Sequence, residues 1–186
     1  LGQIEIGRCL SGPTEISFLT DDPEENTEEH WTIAILNSNP YLNFTGGSLL
    51  TIPWSELDLS EPTLLTGELN SNVLTLPSFG STLELTEDNL ALIGVRLSES
   101  ARDTEANDLI HLVDLSNPNN PTLSNRGAQS GSTLTVEHDP TAVAYDQNSH
   151  RAYVANKTSG TISIVDTSSQ TLSLVPPWPE QILSSV

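Results

Sequence analysis

Asp139-Pro-Thr-Ala-Val-Ala-Tyr145, Arg151-Ala-Tyr-Val-Ala-Asn156, Gly160-Thr-Ile-Ser-Ile-Val-Asp166 and Thr171-Leu-Ser-Leu-Val175 follow one another near the end of the chain. Each segment is short and alternating or apolar, and turn residues separate it from the next. Alternation of the Thr161-Ile-Ser-Ile-Val165 kind turns one side of a strand toward a neighbouring sheet. Gly160 and the Asn and Ser residues at the turns supply the backbone angles that hairpins require. The run therefore predicts four antiparallel strands.

The same order of parts occurs earlier. Leu74-Thr-Leu-Pro-Ser-Phe-Gly-Ser-Thr-Leu-Glu-Leu-Thr86 aligns with Leu134-Thr-Val-Glu-His-Asp-Pro-Thr-Ala-Val-Ala-Tyr-Asp146 at an offset of 134 − 74 = 60. Ala91-Leu-Ile-Gly94 then falls under Ala152-Tyr-Val-Ala155, and Pro13-Thr-Glu-Ile-Ser-Phe18 matches Pro140-Thr-Ala-Val-Ala-Tyr145 at every second position. Leu57-Asp58-Leu59-Ser60, Val113-Asp114-Leu115-Ser116 and Val165-Asp166-Thr167-Ser168 each close a third strand. Their Asp spacings are 114 − 58 = 56 and 166 − 114 = 52, as expected when insertions fall in loops. In each case the Asp is positioned to accept hydrogen bonds from the turn that follows. A Thr-Leu pair then opens a fourth strand, at Thr63-Leu64, Thr122-Leu123 and Thr171-Leu172.

A sandwich does not need one four-strand order three times over, whereas a β-propeller does. The expectation is an all-β chain of four-stranded antiparallel blades. Three to four blades are present within a single domain, 1–186, as part of a larger propeller, and they span approximately 12–70, 72–127 and 132–176. Leu1-Gly-Gln-Ile-Glu-Ile6 resembles Gly160-Thr-Ile-Ser-Ile164, so the chain is expected to open inside a blade. Further blades, or a second chain, would be needed to close the ring.

Tyr153-Val154-Ala155-Asn156 followed by Gly160-Thr-Ile-Ser-Ile-Val-Asp166 resembles the YVTN-type propeller repeat over residues 139–175. The middle copy departs from it, with Leu92-Ile-Gly-Val95 at the corresponding place. Surface-layer proteins, lactonase-like propellers and several periplasmic propeller proteins share that repeat. The resemblance implies a propeller and an extracytoplasmic location in the periplasm, at the cell surface or secreted. It carries over no catalytic residue, because the repeat is a packing signature.

Lys and Arg total 6 against 25 Asp and Glu, a net charge of −19. Such a surface repels nucleic acid and anionic membrane and suits a basic protein partner or divalent cations. No stretch approaches the ~18 apolar residues of a membrane span. Cys9 is the single cysteine, so no disulfide forms within the chain, and no Cys-x-x-Cys-His occurs.

In a blade, loops joining first to second strands share a side with those joining third to fourth. The first such loop is Asp21-Asp-Pro-Glu-Glu-Asn-Thr-Glu-Glu-His30, with seven of ten residues acidic or His. It is a candidate calcium loop through Asp21, Asp22, Glu24 and Glu25, although it lacks the Asp-x-Asp-x-Asp-Gly spacing of a specific site. Glu99–Asp108 is a second insertion, with Arg102 among acids. Asn43-Phe-Thr45 and Asn156-Lys-Thr158 are glycan acceptor sequences should the chain be secreted by a eukaryote. The four His residues, His30, His111, His138 and His150, show no ligand spacing. No nucleophile or phosphate-loop motif appears.

The sequence therefore favours a non-catalytic propeller that binds protein partners or scaffolds a larger assembly. Candidate anchors are Tyr41, Phe44, Trp54 and Trp178, the residue types that dominate interfaces. The alternative is a periplasmic propeller enzyme, lactonase-like or dependent on quinone or haem, with an active-site ring completed by residues elsewhere.

Overall fold

A computed structural model describes residues 4–5, 13–20, 30–38, 47–56, 63–64, 72–76, 78–98, 108–127 and 131–175. Within them the chain is all-β apart from 3-10 geometry at His30 and in the turn Trp54–Glu56. The strands are β1 (Ile4–Glu5), β2 (Pro13–Thr20), β3 (Trp31–Asn37), β4 (Ser48–Pro53), β5 (Thr63–Leu64), β6 (Val73–Thr75), β7 (Ser78–Leu85), β8 (Leu90–Ser98), β9 (Leu109–Asp114), β10 (Thr122–Leu123), β11 (Thr133–Thr135), β12 (Pro140–Asp146), β13 (Arg151–Asn156), β14 (Thr161–Asp166) and β15 (Ser173–Leu174).

Three antiparallel sheets follow one another along the chain. Sheet 1 has the order β2-β3-β4-β6, sheet 2 the order β7-β8-β9-β10 with β11 also paired to β9, and sheet 3 the order β12-β13-β14-β15. In each, the first three strands form a meander of antiparallel neighbours, as short hairpin connections dictate. Asp114 and Asp166, at the ends of their third strands, behave as their positions predict, while Asp58 lies outside the described residues. Asp114 Oδ1 accepts from Ser116 N at 2.9 Å and Ser116 Oγ at 2.6 Å, and Asp166 Oδ1 accepts from Ser168 N and Ser168 Oγ at the same two distances. Gly160 sits at φ 66°, and Asn89, Asp139 and His150 take positive φ at their own turns, where those side chains tolerate the left-handed region.

One strand assignment needs correction. Thr63-Leu64 does not form the fourth strand of sheet 1. It pairs in parallel with β1, and β6 takes the outer edge beside Ser48–Leu50. In sheet 2 the outer edge is shared: β10 covers Val113–Asp114, and β11 covers Leu109–His111. Sheets 1 and 2 thus end on residues 73–75 and 133–135, past the spans 12–70 and 72–127 read from the repeat. A long third strand leaves open donors and acceptors along its whole edge, and the returning chain fills them before starting the next sheet.

The sheets stack face to face. Leu19, Ala34, Leu36 and Leu49 of sheet 1 meet Leu83, Ala91, Ile93 and Val113 of sheet 2 in one buried cluster. Leu90, Leu92, Ile110 and Leu112, on the opposite face of sheet 2, meet Val143, Ala152, Val154 and Val165 of sheet 3 in another. Sheet 2 is therefore apolar on both faces, which explains its continuous run Leu90-Ala-Leu-Ile. The first strands also lie together, β2 against β7 and β7 against β12.

Candidate functional site

The first strands do not pair through their backbones; carboxylates bridge them. Glu15 of β2 accepts from the Leu83 amide of β7, and Glu84 of β7 accepts from the Tyr145 amide of β12 at 3.3 Å. Ser81 Oγ adds a bond to the Pro140 carbonyl at 2.7 Å. Burial raises the Glu84 carboxyl above the usual range, and the nearby Glu15 charge adds to this, while the bond from the Tyr145 amide opposes it. Two acidic side chains thus occupy the seams where a repeated fold brings inner strands together.

A second constellation lies at one end of the junction between sheets 2 and 3. Glu87, Asp88, Arg126, Tyr145, His150 and residues 167–170 line a shallow cleft of about 170 Å³. The β7–β8 turn, the β12–β13 turn and the loop after β14 all reach it. Its loops are tied by Thr167 N to the His150 carbonyl at 3.0 Å, and Leu115 N is bonded to the Asn89 carbonyl at 2.9 Å nearby. First-to-second and third-to-fourth connections therefore share one side.

Arg126 is the centre of this cleft. Its guanidinium pairs with Asp88 and donates from Nη2 to the carbonyls of Thr167 at 2.9 Å and Ser169 at 3.0 Å. Burial alone would push the Asp88 carboxyl up. The Thr86 hydroxyl and Arg126 outweigh that and hold it below the usual range. His150 Nδ1 lies 2.7 Å from Glu87 Oε1. The Tyr145 hydroxyl is raised by burial, with neighbouring Glu87 and Asp88 contributing.

This arrangement braces two sheets. Ser168 Oγ donates to Asp166 and Ser169 Oγ to the Thr171 carbonyl, so both hydroxyl protons are committed away from the imidazole. The cleft is also smaller than the ~300–1,000 Å³ typical of small-molecule sites. Sequence reasoning missed it because Glu87, Asp88, Arg126 and His150 fall in separate loops with no motif spacing. The available signal was Arg126 itself, one of only 6 basic residues in an acidic chain.

Of the four candidate anchors, the structure describes Trp54 alone. Trp54 is partly buried and packs on Ile33, Ile35, Leu50 and Ile52. Tyr41, Phe44 and Trp178 lie outside the described residues, as do Cys9, Arg102 and positions 21–29 of the acidic loop. Among the described residues no group of three His, Cys, Asp or Glu is arranged to hold a metal. His111 is 2% exposed in β9, and burial lowers its pKa to about 4. Asn156 is 1% exposed, with its amide 2.9 Å from Ser163 Oγ, so the folded chain does not present it as a glycan acceptor.

The outward face of sheet 3 carries apolar residues that are exposed. Ala142, Ala155 and Ile162 are direct cross-strand partners, and so are Ala144, Tyr153 and Ile164. These two rows form an apolar patch in which Ile162 is 63% and Tyr153 36% exposed. Large apolar patches on a soluble surface mark contact sites.

No family model matches the chain, and no curated protein matches it. Among the described residues no helix is long and apolar enough to cross a membrane.

Proposed function

We propose that the three sheets are consecutive blades of a β-propeller of the YVTN-repeat kind. The chain acts outside the cytoplasm as a non-catalytic subunit that binds protein partners or scaffolds an assembly. The observation that carries this reading is the repeated stacking. The face of sheet 1 is covered by sheet 2, that of sheet 2 by sheet 3, and the equivalent face of sheet 3 is apolar and open. A frame of this kind offers rigid loops and sheet faces for recognition. The net charge of −19 favours a partner with a basic surface, whose capture weakens as salt is added.

Cross-linking of native material, with the absorption spectrum of the purified complex, tests this reading. The expected result is a protein partner whose yield falls with salt and with the joint replacement Tyr41→Ala and Phe44→Ala, in a complex without a Soret or quinone band. Either band would assign the chain to the haem- or quinone-dependent propeller enzymes and overturn the non-catalytic reading. Unchanged capture by the double variant would remove Tyr41 and Phe44 as anchors.

A further inference from the structure

The chain crosses from sheet 2 to sheet 3 at the Asp139-Pro140 bond, between β11 and the first residue of β12. Three successive residues of the β13–β14 turn hold the Asp139 side of that bond. Ser159 Oγ accepts from the His138 amide at 2.9 Å, the Thr158 hydroxyl donates to Asp139 Oδ2 at 3.2 Å, and the Lys157 amide donates to the Asp139 carbonyl at 2.9 Å. The Pro140 side is held from sheet 2. Its carbonyl accepts from Ser81 Oγ, and it lies so close to β8 that a Cβ on Gly94 would come within 2.8 Å of it. Asp139 itself is at φ 63°, in the left-handed region, and the proline that follows narrows its backbone choices further.

The repeat does not need a carboxyl at this position. The corresponding dipeptide is Gly12-Pro13 in the first copy and Phe79-Gly80 in the second, so Asp before Pro belongs to the third alone. That pair has its own chemistry. An Asp carboxylate reaches its own carbonyl carbon by closing a succinic anhydride ring. A prolyl nitrogen, in a tertiary amide, is more basic than an ordinary peptide nitrogen and leaves more readily. The Thr158 hydroxyl occupies Oδ2 and leaves Oδ1 to attack. The Lys157 amide already points at the oxygen on which negative charge would develop, the arrangement that stabilises a tetrahedral intermediate.

We propose that the Asp139-Pro140 bond is a self-cleavage site, with the Asp139 carboxylate as nucleophile and the Lys157 amide as oxyanion donor. Oδ1 bonds to the Asp139 carbonyl carbon, the bond from that carbon to Pro140 N breaks, and Pro140 N takes a proton from solvent. Water then opens the cyclic anhydride, which leaves Asp139 as a C-terminal residue with both carboxyls free and Pro140 as a free N-terminus. Cleavage also releases the left-handed backbone at Asp139. The cut severs the link between sheets 2 and 3 without parting them. Leu90, Leu92, Ile110 and Leu112 stay packed on Val143, Ala152, Val154 and Val165, and Arg126 stays bonded to the Thr167 and Ser169 carbonyls.

Mass spectrometry of the purified chain, held in mildly acidic buffer either folded or in urea, tests the proposal. Asp22-Pro23, the other Asp-Pro bond of the sequence, is the internal reference. The folded chain is expected to yield fragments ending at Asp139 and beginning at Pro140 ~100-fold faster than the chain in urea, the scale of one oxyanion donor. In urea the two Asp-Pro bonds should break at similar rates. The two fragments should migrate together under native conditions and separate in denaturant. Asp139→Asn tolerates the left-handed backbone and should slow the cut ~100-fold. Thr158→Val should slow it ~10-fold by releasing the carboxylate, and Thr158→Ser should restore it. Equal rates at Asp139 in the folded chain and in urea overturn the proposal, because the fold then contributes nothing. Undiminished cleavage in Asp139→Asn overturns it too, because an external protease is then cutting. If Asp139→Asn does not fold, the Thr158 pair decides: loss in Thr158→Val with recovery in Thr158→Ser sustains the proposal, and equal rates in both overturn it.

Discussion

Ile110→Ala and Ile162→Ala make the same chemical change at corresponding positions of two third strands, and the stacking of sheets requires them to differ. Ile110 is 0% exposed, between sheets 2 and 3, so its truncation loses transfer energy and leaves a cavity. Such changes cost about 2–5 kcal/mol. Ile162 is 63% exposed. Scaling the ~3 kcal/mol for full burial of an isoleucine to the fraction buried gives about 1 kcal/mol. The intrinsic strand preference lost by Ile→Ala is common to both and cancels in the comparison. The assay is urea unfolding, with unchanged m-values as the condition for reading midpoint shifts as stability. For a chain of this length the expected loss in Tm is roughly 4–20 °C for Ile110→Ala and 2–4 °C for Ile162→Ala. Equal losses at the two sites would refute the claim that sheet 3 covers sheet 2.

His111 gives a pH signature. Its folded pKa of about 4 lies below the ordinary 6.5, so the unfolded chain binds more protons between those values. Stability should therefore fall as pH drops from 6.5 toward 4, by about 3 kcal/mol at most, and His111→Leu should flatten that part of the profile in a denaturation series. Gly94→Ala should destabilise the chain by about 1–3 kcal/mol, because the Pro140 backbone cannot yield as a side-chain tip would; unchanged thermal unfolding would show that β12 does not approach β8. Arg126→Ala should expose the β12–β13 turn and the loop after β14 to faster hydrogen exchange while leaving β2–β4 protected, since the guanidinium joins those loops to Asp88 and to nothing in sheet 1.

Much of the architecture was legible because it is written in a local code. Alternation and turn residues gave β12, β13 and β14 within a residue of their observed ends, and the Asp114 and Asp166 turns were readable from Asp-x-Ser alone. The outer edges were less legible. Thr63-Leu64 looks like Thr122-Leu123, yet the open edge of the third strand can be filled by any segment that returns to it, and in sheet 1 that segment is β6. The cleft was illegible for a related reason. Arg126, Asp88 and His150 come from three loops that only the stacking of sheets 2 and 3 brings together. The carboxylate seams were hidden too, because 25 acidic residues share one sequence and nothing local separates Glu15 and Glu84 from those on the surface. The open apolar face became visible only when equivalent residues could be compared for burial.

The central claim is that consecutive sheets lie side by side along β2, β7 and β12, joined by Glu15 and Glu84. Residue-resolved amide exchange in Glu15→Ala and Glu84→Ala tests it most directly. The account predicts that Glu15→Ala accelerates exchange at Leu83, that Glu84→Ala accelerates it at Tyr145, and that neither affects the other's amide. Glu84→Gln should retain Tyr145 protection, because an amide oxygen can still accept the bond. Unchanged exchange at both amides, or equal acceleration at both in either variant, would contradict the arrangement of the three sheets.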